Sequence, residues 1–276
     1  MSERIFVLGA GRAGRGLARA MRTAGIDVVG LHGRHRSDPA DDVSVGALPA
    51  SAASASVVLV TVRDAQLDGV LRDLAGAPLE PGAVILHASG SADPPSLALV
   101  RQRGYVAGTF HPLVPLVDPS RAAATLRGAW IGIDGDAAAR ECSRALAARL
   151  GAHTLEIPQG EKPRYHAAAV LVSNFPAVLL ALGERVLVES GIDAEVAHHA
   201  LRPLWLAAAE NVRGSSVASA LTGPVVRGDA VTVRANLDAL RDDETARAVY
   251  RLMSFALLEV LGSDGRDDVR RALDEP

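Results

Sequence analysis

At 276 residues, 49% of them apolar, and with a formal net charge of −3, the chain is long enough for two domains that each bury a core. It has no long basic run and no alternation of basic with aromatic residues, which argues against a nucleic-acid partner. The single cysteine, Cys142, excludes an intrachain disulfide framework and fits a structural side chain in a reducing, cytoplasmic compartment.

A buried parallel strand is predicted at Ile5 to Leu8, so close to Met1 that no secretory leader is expected. Gly9-Ala10-Gly11-Arg12-Ala13-Gly14 follows as a G-x-G-x-x-G turn opening a helix through Leu17, Ala20 and Met21. Gly9 permits the tight turn, Gly11 lets a pyrophosphate approach the backbone, and Gly14 lets helix and strand pack closely. The N–H groups of Arg12, Ala13 and Gly14 then face an anion at the helix start. The bland alternative is a purely structural turn.

The second strand, Asp27 to Leu31, ends in His32-Gly33-Arg34-His35-Arg36, where a dinucleotide fold contacts the adenosine ribose. An NAD enzyme usually presents a carboxylate there. Arg34, with Arg36 behind it, instead suits the 2′-phosphate of NADP, against the alternative of a solvated basic turn. The missing acid also counts against an S-adenosylmethionine methyltransferase.

A weak strand is predicted around Val43 to Val45, then a small-residue helix, then a fully buried strand from Val57 to Val62. Val62 and Arg63 are expected to border the cofactor, and Asp64 to cap a helix over Ala65 to Leu74. The next strand, Ala83 to Leu86, ends in His87-Ala88-Ser89-Gly90-Ser91. Ser89 and Gly90 suit the nicotinamide ribose, although Ser89 could equally cap a helix. Tyr105 to Phe110 leads to His111, a candidate for lining the same site, and Trp130 to Ile133 and His153 to Ile157 complete the strands.

After Ile157 the alternation stops. Pro158 to Pro163 reads as a hinge, followed by helices at about Pro163 to Ser190, Asp193 to Arg213, Asp229 to Leu240 and Asp243 to Leu261. The expected fold is therefore α/β: a doubly wound Rossmann sheet over residues 1–157, then an all-α domain over residues 158–276 for substrate and dimerisation. The apolar run Ala167 to Gly183 contains Ser173, Asn174 and Pro176 and reads as a buried helix rather than a membrane span. Its largely apolar circumference predicts a homodimer through the C-terminal helices.

Of the 29 basic residues, 28 are arginine; the exception is Lys162. It marks either a chance survivor or a place that requires a compact ammonium. Preceding Pro163, it is expected to stay outside the helix and lean toward a cleft. At ~100° per residue, Ser173 falls about 20° and Asn174 about 80° from His166 on the helix wheel. These residues outline a polar site, with satisfied core polar groups as the alternative. His198 and His199 point about 100° apart on a helix, and no compact ligand set occurs, so no metal is expected.

The motifs GAGRAG, HASGS, TFHPL, KPRYHAAAVLVSNF and ALTGPVVRGD together resemble a bacterial family joining a Rossmann-like NADP-oxidoreductase domain to a C-terminal helical domain of unknown function. The architecture is similar to the 6-phosphogluconate dehydrogenase-like group, with its β-hydroxyacid dehydrogenases, ketopantoate reductase and pyrroline-5-carboxylate reductases. In β-hydroxyacid dehydrogenases a lysine opens the interdomain helix and an asparagine follows one turn on. Lys162 matches the lysine; His166 stands one turn on, and Asn174 comes later. Ala220-Leu221-Thr222-Gly223-Pro224 resembles the substrate-contacting Thr-Ser-Pro-Gly turn of pyrroline-5-carboxylate reductases. The resemblance implies hydride transfer between NADP(H) and a small carbonyl, imine or hydroxy-acid substrate at the interdomain cleft. His166 or Lys162 would exchange the proton, while Asn174 and Ser173 position the substrate. The alternative from another class is a non-catalytic NADP(H) sensor or scaffold.

Overall fold

The computed structural model describes residues 3–35, 41–262 and 266–275. It forms two compact units, Met1–Ser173 and Asn174–Pro276. Strand structure ends at Glu156, one residue before the expected boundary at 157. The compact unit runs 16 residues further, to 173, and so takes in the first turns of the long helix.

In the first unit β1 (Arg4–Leu8), α1 (Arg12–Thr23), β2 (Asp27–His32), β3 (Val43–Ser44), α2 (Ala50–Ala53), β4 (Val57–Val60), α3 (Asp64–Gly76) and β5 (Val84–His87) build one half of a sheet. The other half comprises α4 (Leu97–Gln102), β6 (Val106–Pro112), α5 (Ala122–Leu126), β7 (Trp130–Gly135), α6 (Ala137–Arg149) and β8 (His153–Glu156). The strand order is β3-β2-β1-β4-β5-β6-β7-β8, parallel throughout except for the antiparallel β6–β7 pair. The order reverses between β1 and β4, which opens the crevice where doubly wound folds bind ligands.

The continuous apolar runs follow from burial on both faces. Along β1, Ile5 and Val7 pack with Leu17 and Met21 of α1, while Phe6 packs on the opposite face with Leu67 and Leu71 of α3. All four residues of β4 are buried. Asp41 pins the segment before β3 to α1, accepting from Nε of Arg15 at 2.5 Å and of Arg19 at 2.7 Å.

The long helix α7 (Lys162–Glu189) opens in the first unit and continues into the second. The second unit adds α8 (Ala194–Asn211), α9 (Val217–Ala220), α10 (Pro224–Arg227), α11 (Ala230–Ala239), α12 (Glu244–Leu261) and α13 (Asp267–Asp274). Asp193, Ser216, Asp229 and Asp243 cap four of these helices through side-chain oxygens, as residues at N-cap positions do. A small core gathers Val225, Val233, Leu237, Leu258, Val269 and Leu273.

The sequence reading expected α7 to be buried, and its own chain leaves it open. Lys162 is its one buried residue, with Val172 79% and Phe175 49% exposed. Among the described residues it is the helix long and apolar enough to cross a membrane, with a mean hydropathy of 1.7 over its most apolar stretch. Helical periodicity cannot tell what covers an apolar helix.

Candidate functional site

A pocket of about 750 Å³ lies past the carboxyl ends of β1 and β4, and Gly9, Gly11, Arg34, Val62 and Arg63 all line it. Its geometry gives each glycine of the turn a different reason. Gly9 has φ +120°, a conformation side chains resist, and Thr61 closes beneath it. A Cβ on Gly14 would fall 1.8 Å from the Gly9 carbonyl oxygen, whereas one on Gly11 would meet nothing within 4 Å. Gly14 is thus fixed by packing, and Gly11 leaves the cradle open. At the start of α1 no side chain caps the helix and no acid occupies the first turn, so the N–H groups of Arg12, Ala13 and Gly14 are presented to an anion.

Arg34 is exposed at the end of β2, with His35 beside it on the pocket wall; Arg36 lies outside the described residues. The Gln66 amide on α3, oriented with its oxygen toward the guanidinium, accepts from both terminal nitrogens of Arg34 at 2.8 and 3.0 Å. Behind Arg34, the buried His32 ring pairs Nδ1 with Ser44 Oγ at 2.9 Å, and burial holds its pKa below the usual value.

Ser89 and Gly90 fall outside this pocket. Ser89 Oγ accepts from the N–H groups of Ala92 at 3.2 Å and Ser91 at 3.4 Å, so the serine organises its own turn. Asp64, expected as a cap, is instead the first residue of α3 and accepts from Ser91 Oγ at 2.6 Å. Gly90 lies against the His111 ring, which a Cβ there would approach to 2.7 Å.

His111 anchors a second cluster. Its Nδ1 lies 2.7 Å from the Tyr165 hydroxyl, and its ring meets that of His166 edge-on at 6.3 Å. Burial, helped by the positive field of His166, pulls the His111 pKa down to about 4, and burial raises that of Tyr165 to about 12. Both groups are therefore neutral near pH 7. The phenol and Nδ1 thus share one neutral hydrogen bond, and O–H donates to Nδ1 in the tautomer that carries the His111 proton on Nε2. His166 Nδ1 is buried and finds no partner among the described residues. His87, on the neighbouring strand, is fully buried, with Nε2 3.3 Å from Thr109 Oγ1 and Nδ1 unpaired. Burial, then the Lys162 charge, lowers its pKa to about 4.

Lys162 departs from its expected place. It is the first residue of α7, its side chain is 1% exposed, and Nζ reaches Ala92 O at 3.2 Å, Asp93 Oδ1 at 2.5 Å and Asp134 Oδ2 at 3.1 Å. An ammonium has three donors, and the protein takes all three. Ser173 and Asn174 are exposed on α7, about 10 Å along the axis beyond His166 at 1.5 Å per residue. They are too far on to share one small group with it. No group of three or more His, Cys, Asp or Glu suited to a metal occurs among the described residues.

Residues 3–112 match the Rossmann-like domain, and residues 129–257 match a domain of unknown function, DUF2520. The chain joins a Rossmann-like domain to a DUF2520 domain. Over 94% of its length it is similar in structure to 98% of a Bacteroides fragilis protein provisionally named an NADP oxidoreductase, at TM-score 0.75 and 20% identity. A Thermotoga maritima protein matches 94% of the chain over 99% of its own at TM-score 0.72 and 24% identity. A Plasmodium falciparum pyrroline carboxylate reductase with NADP bound matches 97% of the chain over 98% of its own at TM-score 0.61 and 11% identity. No curated protein matches in sequence.

The DUF2520 domain begins inside the sheet, so it contributes Asp134, Lys162, Tyr165 and His166, while the Rossmann-like domain contributes Asp93 and His111. Both contacts, Tyr165 to His111 and Lys162 to Asp93, cross the two sequence domains within the first compact unit. Sequence reasoning missed Tyr165, Thr61 and Gln66. A tyrosine next to His166 in a chain with only three tyrosines is the one signal that was present for the first of them.

Proposed function

We propose that the protein is an NADP(H)-dependent oxidoreductase acting on a small carbonyl, imine or hydroxy-acid substrate. The observation that carries this reading is the pocket over Gly11: an open cradle, an uncapped helix start, and Arg34 where an NAD enzyme would place an acid. When bound, the nicotinamide group would supply or accept a hydride. The chain's own part is to hold the pyrophosphate on the backbone of Gly11 to Gly14, to meet a 2′-phosphate with Arg34, and to move the accompanying proton.

For the proton we assign His166, whose Nδ1 has no protein partner among the described residues and whose ring packs against the Tyr165–His111 pair. Lys162 anchors α7 to the sheet through Asp93, Asp134 and the Ala92 carbonyl. The exposed apolar side chains of the second unit, among them Val178 at 54%, Leu204 at 65%, Leu206 at 59% and Leu252 at 68%, support a homodimer formed through these helices. Cytoplasmic residence is part of the same reading; burial pushes the Cys142 thiol up to about 12, as befits a structural cysteine.

Fluorescence titration with NADPH and NADH tests the cofactor assignment. Wild type should bind NADPH more tightly, and Arg34→Ala should remove most of the difference. Equal affinities in the wild type would overturn it. NADPH binding without oxidation across a panel of carbonyls and imines would favour a sensor over an enzyme.

A further inference from the structure

We propose that Gln66 is the specificity-determining partner of Arg34: its neutral carbonyl braces the guanidinium so that a free two-donor edge faces the 2′-phosphate of the cofactor. The inference rests on the NADP(H) reading and names a residue on which that preference depends.

A guanidinium carries five N–H groups in a planar fork. The Gln66 oxygen sits between the two terminal nitrogens of Arg34, at 2.8 and 3.0 Å, and so occupies the end of the fork. The Nε edge, one of the two geometries that grip a phosphate bidentately, stays available. Gln66 belongs to the first turn of α3, an element set by packing of Leu67 and Leu71 into the core, so the brace rests on rigid backbone. Arg34 itself is exposed and follows β2, where an unbraced arginine would sample many rotamers.

The neutrality of the brace matters as much as its position. A carboxylate at residue 66 would hold Arg34 more strongly but cancel its charge and repel a phosphate. Glutamine holds the cation without neutralising it. The pocket is otherwise biased toward an anion: Arg34 and Arg63 line it against a single acid, Asp73, which stands seven residues, about 10 Å of helix, beyond Gln66.

The test measures dissociation constants of NADPH and NADH by fluorescence for the full-length protein and for two variants, Gln66→Leu and Gln66→Glu, with circular dichroism confirming that each is folded. Gln66 is half-buried on a helix surface, which tolerates both replacements. Gln66→Leu should weaken NADPH about 3- to 10-fold, the worth of ordering one long side chain, and leave NADH within about twofold. Gln66→Glu should weaken NADPH by more than about tenfold and bring the two cofactors close to parity. An unchanged NADPH/NADH ratio in Gln66→Leu would overturn the proposal while leaving the cofactor reading intact. Tighter NADPH binding in Gln66→Leu would also overturn it, since Gln66 would then compete with the phosphate. A wild type with no NADPH preference overturns the cofactor reading and this inference together.

Discussion

The buried histidines make the fold sensitive to acid over a defined range. His87 is wholly buried, and its pKa falls from 6.5 to about 4 because burial disfavours the imidazolium. Unfolding restores the ordinary value, so between these two values the unfolded chain binds the additional proton and stability decreases as pH falls. One group with this pair of values contributes about 2 to 3 kcal/mol less at pH 4.5 than at neutrality. His111 shows the same shift, so the two together set an upper limit of about 5 kcal/mol, much of the stability of a typical domain. The Asp68 carboxyl, held at about 2 by Ser96 and Arg72, titrates below this range and does not obscure it. Urea denaturation followed by circular dichroism from about pH 7.5 to about pH 4.5 measures the slope. His87→Gln keeps a polar group near Thr109 but cannot titrate, and should remove roughly half of the acid loss. A wild-type free energy flat over this range, or an acid limb unchanged in His87→Gln, would refute the reasoning.

The two glycines of the turn should separate on substitution. Gly14→Ala drives a Cβ into the Gly9 carbonyl and should lose at least about 2 kcal/mol of stability by denaturant titration, whereas Gly11→Ala should fold normally and bind NADPH at least about tenfold more weakly. Equal stability in both variants would contradict the packing assigned to Gly14. Once a substrate is identified, His166→Ala should lower kcat by about 10²- to 10⁴-fold with NADPH affinity nearly unchanged, and near-normal turnover would exclude His166 as the acid. Lys162→Met leaves Asp134 without its cation and should destabilise the protein by about 3 kcal/mol; a variant as stable as wild type would remove its anchoring role. Light scattering at micromolar concentration should give a dimer mass, and a monomer, or partition of the intact protein into lipid vesicles, would overturn the dimer proposal.

The sheet was legible because its signals are local. The strand predicted at Val57 to Val62 forms over Val57–Val60, the glycine turn at Gly9 to Gly14 opens α1, and the helices predicted from Asp193 and Asp243 begin one residue after them, because each of these patterns declares itself within a few positions. The basic end of β2 was visible for the same reason. The partners that give those residues their roles were not, because they come from distant segments brought together by the strand order. Tyr165 meets His111 across 54 positions, and Lys162 meets Asp93 across 69. Thr61 reaches the Gly9 carbonyl across 52. A lone lysine among arginines marked Lys162 as unusual, but only the folding of β7 beside β6 placed Asp134 where the ammonium would be buried and fully bonded. Likewise hydropathy established that α7 is apolar, while tertiary structure showed that its own chain leaves it uncovered. Sequence periodicity reports which faces avoid water; which group or molecule meets them is decided by contacts between segments that no local window contains.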